Sequence, residues 1–122
     1  MPTDSKTRGH IGELAVVAWL EQHGYHIIER NFRQRFGEID IIAQHNEYLV
    51  FVEVKSRKHS LDLIADLVPY KKQQKIIKVA QAFLAHGLWD NKIIRFDIAI
   101  VHGDEYDVQY LSNAFVPESN YF

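Results

Sequence analysis

The chain opens on a helical period. From Gly9 to His23 the stretch IGELAVVAWLEQH places Ile11, Leu14, Ala15 and Ala18 on one stripe. Gly24 stands where a helix-ending glycine belongs. At the same spacing Glu13 neighbours Val16, Val17 and Leu20, which puts its carboxylate at the border of the buried face. A first-turn glutamate favoured by the helix dipole and open to water would occupy the same position. The pattern leaves both readings of Glu13 open. The period then changes to two. Residues 25–33, 36–44, 48–56, 93–101 and 105–111 are rich in β-branched and aromatic side chains and are expected as strands. The stretch 57–68, RKHSLDLIADLV, has no clean period and reads as a mobile connection over one face. Pro69 is expected in the first turn of a second helix, with Ile76, Ile77, Ala80, Phe83 and Leu84 as its stripe and Gly87 as its cap. Lys72 falls near that helix's buried face, and Lys71, Lys75 and Lys78 point to solvent. Residues 1–8 and the tail from Pro117 are expected to lack fixed structure. The order α-β-β-β-α-β-β defines a mixed α/β fold, one sheet flanked by helices. It is expected as a single domain over 1–122, with an ordered core over about 9–116.

The two runs on either side of His45-Asn46-Glu47 form the natural antiparallel hairpin. Strict alternation sets Glu38, Asp40 and Ile42 on one face, and Ile39, Ile41 and Ala43 on the other. On the second run Leu49, Phe51, Glu53 and Lys55 share a face opposed to Val50, Val52 and Val54. A two-residue turn at Asn46-Glu47 then sets Asp40 opposite Glu53 and Glu38 opposite Lys55. Directly opposed Cβ atoms lie only ~4.5–5.5 Å apart. Two carboxylates that close, among Ile, Phe and Val, resist ionisation unless a cation joins them. A hard divalent ion on oxygen ligands resolves the conflict, and Lys55 would project beside it. The plainer alternative is a cross-strand charge ladder in which Glu38 and Lys55 form a surface salt bridge of little weight.

Composition narrows the chemistry. With 47% hydrophobic and 25% charged residues the chain is ordinary for a globular domain, and no apolar run is long enough to span a bilayer. The start MPTDSKTRGH lacks an apolar signal core, so a cytoplasmic protein is expected. The absence of cysteine removes disulfides, zinc–thiolate sites and thiol nucleophiles. The seven histidines show no HExxH spacing, and none is assigned to a metal. No Gly-rich phosphate loop or Ser-His-Asp order supports a small-ligand enzyme. At a net charge of −2, affinity for nucleic acid would have to come from a local basic patch. The candidates for that patch are Arg33, Arg35, Arg57, Lys58, Lys71, Lys72 and Lys75.

The strings GEID and, about a dozen residues on, VFVEVK resemble the PD-(D/E)XK nuclease signature. Gly12-Glu13, Gly24-Tyr25, Arg30-Asn31, Gly37-Glu38-Ile39-Asp40, Glu53-Val54-Lys55, Lys72-Gln73 and Arg95-Phe96-Asp97 fall in the order of the bacterial YraN family. That family is poorly characterised and looks like archaeal Holliday-junction resolvases. The resemblance implies a restriction-endonuclease-like αβββαβ core and a Mg²⁺- or Mn²⁺-dependent endonuclease acting on DNA, branched or damaged DNA included. It makes Asp40 and Glu53 metal-binding acids, Lys55 the catalytic lysine and Glu13 a helix-borne acid that completes the site. Glu38 is expected to pair with Lys55, Lys72 to lie near a phosphate, and Asp97 to support the fold around Arg95. By analogy with resolvases a homodimer is implied. Residues 57–71 depart from the family pattern. That departure and the modest net charge keep an alternative open: a nucleic-acid-binding module that retained the fold without turnover.

Overall fold

The computed structural model describes residues 5–57 and 67–118. Helix α1 (Ser5–Gln22) leads into β1 (His26–Gln34), β2 (Gly37–His45) and β3 (Tyr48–Arg57), and after α2 (Tyr70–Leu84) come β4 (Ile93–His102) and β5 (Asp107–Phe115). The five strands form one sheet in the order β1-β2-β3-β4-β5. Every neighbouring pair is antiparallel except β3 and β4, which run parallel across the connection that carries α2. The sheet is thus mixed and flanked by two helices, in the expected element order.

Each helix covers one face. Val16 and Leu20 of α1 pack on Ile41, Ala43, Val50, Val52, Ala99 and Val101. Ile76, Ile77, Val79 and Ala80 of α2 pack on Ile39, Ile42, Phe51, Phe96 and Ile98. Both cores are aliphatic and aromatic throughout, and their burial drives the layered fold. Helix α1 stops as its sequence predicts. Gly24 takes a φ of +85°, its N–H donates to the Glu21 carbonyl at 3.2 Å, and the Tyr25 N–H donates to the Leu20 carbonyl at 2.9 Å. These are the two bonds of a Schellman closure, which needs a residue free to adopt the left-handed conformation.

Other expectations are corrected. The buried stripe of α1 is Gly12, Val16 and Leu20, whereas Ile11 and Leu14 are 37% and 44% exposed and Ala18 lies outside too. The segment is apolar almost all round, so its period selects no face. What selects it is Gly12, where an added Cβ would meet Ser56 Oγ at 3.4 Å and Val101 at 3.7 Å. In α2 the stripe gains Val79, and Pro69 stands just before the helix, its carbonyl accepting the Gln73 N–H at 3.0 Å. Gly87 is not the cap. The helix closes at Ala85 in a right-handed conformation, and Gly87 instead makes room for the Trp89 indole, which stacks on Phe83 at 5.6 Å. The fifth strand begins at Asp107 and runs on to Phe115, beyond the expected Leu111, because Asn113 hydrogen-bonds to β4. In the tail, Glu118 accepts a 2.7 Å hydrogen bond from the Tyr70 hydroxyl. Most of the 57–68 connection, including Lys58, lies outside the described residues. Among the described residues no helix is long and apolar enough to cross a membrane.

Candidate active site at the fork of the sheet

The hairpin register is the expected one where β2 and β3 are paired. It runs from His45↔Tyr48 to Ile41↔Val52, closed by Asn46 at a φ of 55°. Pairing stops there, one residue short of Asp40 and Glu53. Strand β2 stays with β1 as far as Gln34↔Gly37 while β3 continues beside β4 to Arg57↔His102. The sheet therefore forks between β2 and β3. A fork leaves backbone donors without partners. Asp40 answers one of them: its Oδ2 accepts the Val54 N–H at 2.8 Å.

Across β1, Asn31 sits between the Arg30↔Ile41 and Phe32↔Ile39 pairs with a φ of 54°. A left-handed residue inside a strand breaks the alternation of faces. Ile39 and Ile42 accordingly both join the α2-side core, and Ile41 and Ala43 the α1-side core. The expected division of β2 into Glu38, Asp40 and Ile42 against Ile39, Ile41 and Ala43 is overturned by this break. Asp40 also parts from the face of Glu53. It lines an α1-side cavity of about 350 Å³ with Glu13, His10, Asn31, Arg33, Val54 and Ser56. Glu53 and Lys55 face α2. The charges of Glu53 and Glu13 are still felt at Asp40.

Each acid has its own partners. Glu13, with 14% of its side chain exposed, accepts hydrogen bonds from Arg30 at 3.2 Å and Asn31 at 3.0 Å. The close approach of α1 at Gly12 carries Glu13 down to the sheet, so the buried-border reading of this residue is the right one. Glu53, with 7% of its side chain exposed, meets Lys72 Nζ at 3.1 Å and Lys55 Nζ at 3.5 Å, both on Oε1. Among the described residues Asp40 makes no salt bridge, although its charge acts on Lys72. Burial first, then the Glu53 charge, push its carboxyl up to about 7 against the pull of the Val54 N–H, with Glu13 and Glu38 adding to the rise. Burial, then contact with Lys72, holds the Lys55 ammonium below its ordinary value.

Glu38 does not pair with Lys55. The fork carries it away from β3, and it accepts a 2.9 Å hydrogen bond from its cross-strand neighbour Arg33. Of the basic residues expected to meet nucleic acid, Arg33, Arg35, Lys71 and Lys75 are exposed, and Arg57 closes β3 at the fork end. A Cβ added at Gly37 would lie 3.9 Å from the Lys75 Cβ, so the start of β2 passes close to α2 at Lys75. The sequence reading missed Arg30 and Asn31 as the partners of Glu13, and His10 and Ser56 as cavity lining. An asparagine in the middle of a strand run was the available signal for a local break.

Asp97 supports the fold, as expected. It is fully buried and accepts from Arg95 Nε at 3.0 Å, Arg95 Nη2 at 2.8 Å, the Tyr110 hydroxyl at 2.6 Å and the Asn113 N–H at 2.8 Å. Arg95 also donates to the Tyr25 hydroxyl at 2.7 Å and stacks over Tyr48 at 4.7 Å.

A forked mixed sheet with Glu13 and Asp40 lining a cavity on the α1 side and Glu53 held by two lysines on the α2 side defines the class, an α/β domain with acidic residues at the fork. The chain belongs to the family described as uncharacterised protein family UPF0102, which it matches over residues 12–101. It is 40% identical over 113 residues to a UPF0102 protein of Alkaliphilus metalliredigens, covering 91% of this chain and 99% of that protein. A Clostridium acetobutylicum UPF0102 protein is 40% identical over 116 residues, covering 91% and 95%. One from Treponema pallidum is 39% identical over 122 residues, covering 94% and 97%.

By chemistry, the donors of Glu13, Asp40 and Glu53 suit a hard divalent cation, since all are carboxylate oxygens. As the side chains stand, Glu13 and Glu53 are held by Arg30 and the lysines, and no three His, Asp or Glu among the described residues are grouped to hold one ion.

Proposed function

We propose that this protein is a Mg²⁺- or Mn²⁺-dependent endonuclease that hydrolyses DNA phosphodiester bonds, with branched or damaged DNA as its substrate. The observation that carries the reading is the state of Asp40. Its carboxyl is held near neutral pK by burial and by the carboxylates of Glu53 and Glu13, with a lysine pair alongside. A perturbed acid in a cleft, among groups that could share a cation, is the mark of a site tuned for chemistry. Glu13, Asp40 and Glu53 are the residues that would hold the ion. A bound divalent ion supplies charge stabilisation for the phosphoryl oxygens and acidifies water. Lys55, fixed by its strand beside Glu53, donates hydrogen bonds to the phosphate as negative charge builds on it. The basic edge formed by Arg33, Arg35, Arg57, Lys71 and Lys75 positions the DNA backbone through phosphate contacts.

The test is a cleavage screen over single-stranded, duplex, flap and four-way DNA with Mg²⁺ or Mn²⁺. The wild type should give a divalent-dependent product that Asp40→Ala and Glu53→Ala abolish while both variants keep their native circular dichroism. Undiminished cutting by both variants would sink the site assignment. A second reading, a DNA-binding module without turnover, is favoured by one feature: Glu13 and Glu53 are already neutralised by Arg30 and by Lys55 and Lys72. Salt-sensitive DNA binding with no divalent-dependent product would select it.

A further inference from the structure

The β1–β2 hairpin turns on two residues, Arg35 and Phe36, closed by the Gln34↔Gly37 pair. Corners of this kind favour Asn, Asp and Gly, so the turn itself does not call for this pair. Phe36 is 45% exposed at the tip. A single exposed apolar side chain is ordinary on a protein surface, but three features separate this one. Its backbone is held, because strand pairing closes the turn and a Cβ added at Gly37 would meet Val79 of α2 at 3.4 Å. Its surroundings are basic. Arg35 is exposed beside it, Arg33 is 74% exposed on the next rung, and exposed Lys75 lies near Gly37. Glu38, on the same rung as Arg33, is engaged by that arginine at 2.9 Å. Other exposed apolar residues lie beside acids: Tyr70 donates to Glu118, and Leu88 precedes Asp90 by two positions. Finally, Arg33 lines the cavity that holds Glu13 and Asp40, so the hairpin ending in Phe36 also walls the candidate site.

We propose that Phe36 is a stacking platform for unpaired DNA bases, presented at the tip of the β1–β2 hairpin. The proposal rests on the DNA reading above and deepens it by naming what is recognised: bases exposed at a branch, a gap or a single-stranded end. A flat ring among cations suits a polyanion that also offers π faces. Unpaired bases offer them, whereas duplex bases cover theirs by stacking on one another. Arg33, Arg35 and Lys75 hold the backbone without regard to sequence, as phosphate contacts do. Phe36 then adds a preference for an unpaired base, and none for which base, since every base has a π face. Because the tip is already fixed, stacking orders little of the protein and its cost is small. A base resting on Phe36 brings its own strand to Arg33, at the wall of the cavity with Asp40 and Glu13.

The experiment is equilibrium binding with Ca²⁺ in place of Mg²⁺, read by fluorescence anisotropy on two labelled DNAs: a fork with single-stranded arms and a blunt duplex of equal length. The wild type should bind the fork more tightly than the duplex. Phe36→Ala should weaken fork binding about 5- to 150-fold, the range for losing one base stack, and leave duplex binding within about twofold. Phe36→Tyr keeps a ring and should bind like the wild type. In Phe36→Trp the added indole fluorescence should be quenched by the fork and not by the duplex, a direct report of base contact that does not depend on the alanine variant folding. Arg35→Gln should weaken both DNAs alike and lower the salt dependence by about one phosphate contact. If Phe36→Ala weakens both DNAs equally, or neither, the stacking is overturned and the nuclease reading stands on its own cleavage screen. No binding of either DNA by the wild type overturns both. Fork preference that depends on the Phe36 ring, with no divalent-dependent product in that screen, supports the stacking and removes the nuclease reading.

Discussion

Asp97, fully buried, and Asp40, half-buried, are aspartates on the same sheet, and they are treated in opposite ways. Asp97 receives a paired Arg95, a tyrosine hydroxyl and a backbone N–H. Its neighbours are perturbed as a consequence: burial, then the Asp97 charge, push the Tyr110 hydroxyl above its ordinary value. Among the described residues Asp40 accepts one backbone N–H, and the charges of Glu53, Glu13 and Glu38 raise its carboxyl. A charge buried with full compensation costs little and fixes local geometry, whereas one left among like charges costs stability. The first arrangement is what a fold needs. The second persists only where a ligand or a reaction repays it, which is why the fork is read as the site and the Arg95 cluster as its support.

The comparison can be broken most forcefully at Asp97. Asp97→Ala leaves Arg95 buried without its partner and should lower unfolding free energy by about 3–5 kcal/mol, measured by urea denaturation. A loss below about 1 kcal/mol would show that the Arg95 cluster carries no special weight. At Asp40 the sign reverses. The folded chain holds the Asp40 proton to about 7, and the unfolded chain only to the ordinary 3.8. Between those values the native state binds more protons, so the Asp40 contribution falls as pH rises through that window. In EDTA, Asp40→Asn should therefore match the wild type below pH 4 and exceed it by about 1–3 kcal/mol above pH 7. A variant that is less stable than the wild type at pH 8 would contradict this. The smallest effect is expected at Glu38, whose pair with Arg33 has 44% and 74% of its side chains exposed. Glu38→Gln should change stability by less than about 0.5 kcal/mol.

Much of this was legible in the chain itself. The element order follows from the change of period between helices and strands, and the two-residue turn at Asn46-Glu47 set the hairpin register correctly from His45 to Ile41. Alternation then failed at Asp40, because a period of two presumes an unbroken ladder and Asn31 sits in the left-handed region across the strand. The same break explains Glu38, which follows β1 instead of β3. In α1 the sequence offered apolar residues on several faces, and the choice among them was made by a glycine's close contact with Ser56 and Val101, a tertiary fact that no periodicity contains. Lys72, by contrast, was placed near the buried face by spacing alone, and it lies there, on Glu53.

The most direct measurement is an NMR titration of the Asp40 carboxyl carbon, with and without Mg²⁺. The account predicts a midpoint near 7 in the absence of the ion and a clear fall when Mg²⁺ is added, as a cation relieves the crowded carboxylates. A midpoint in the ordinary aspartate range, unmoved by Mg²⁺, would mean that the acids of Glu13, Asp40 and Glu53 do not form one electrostatic centre.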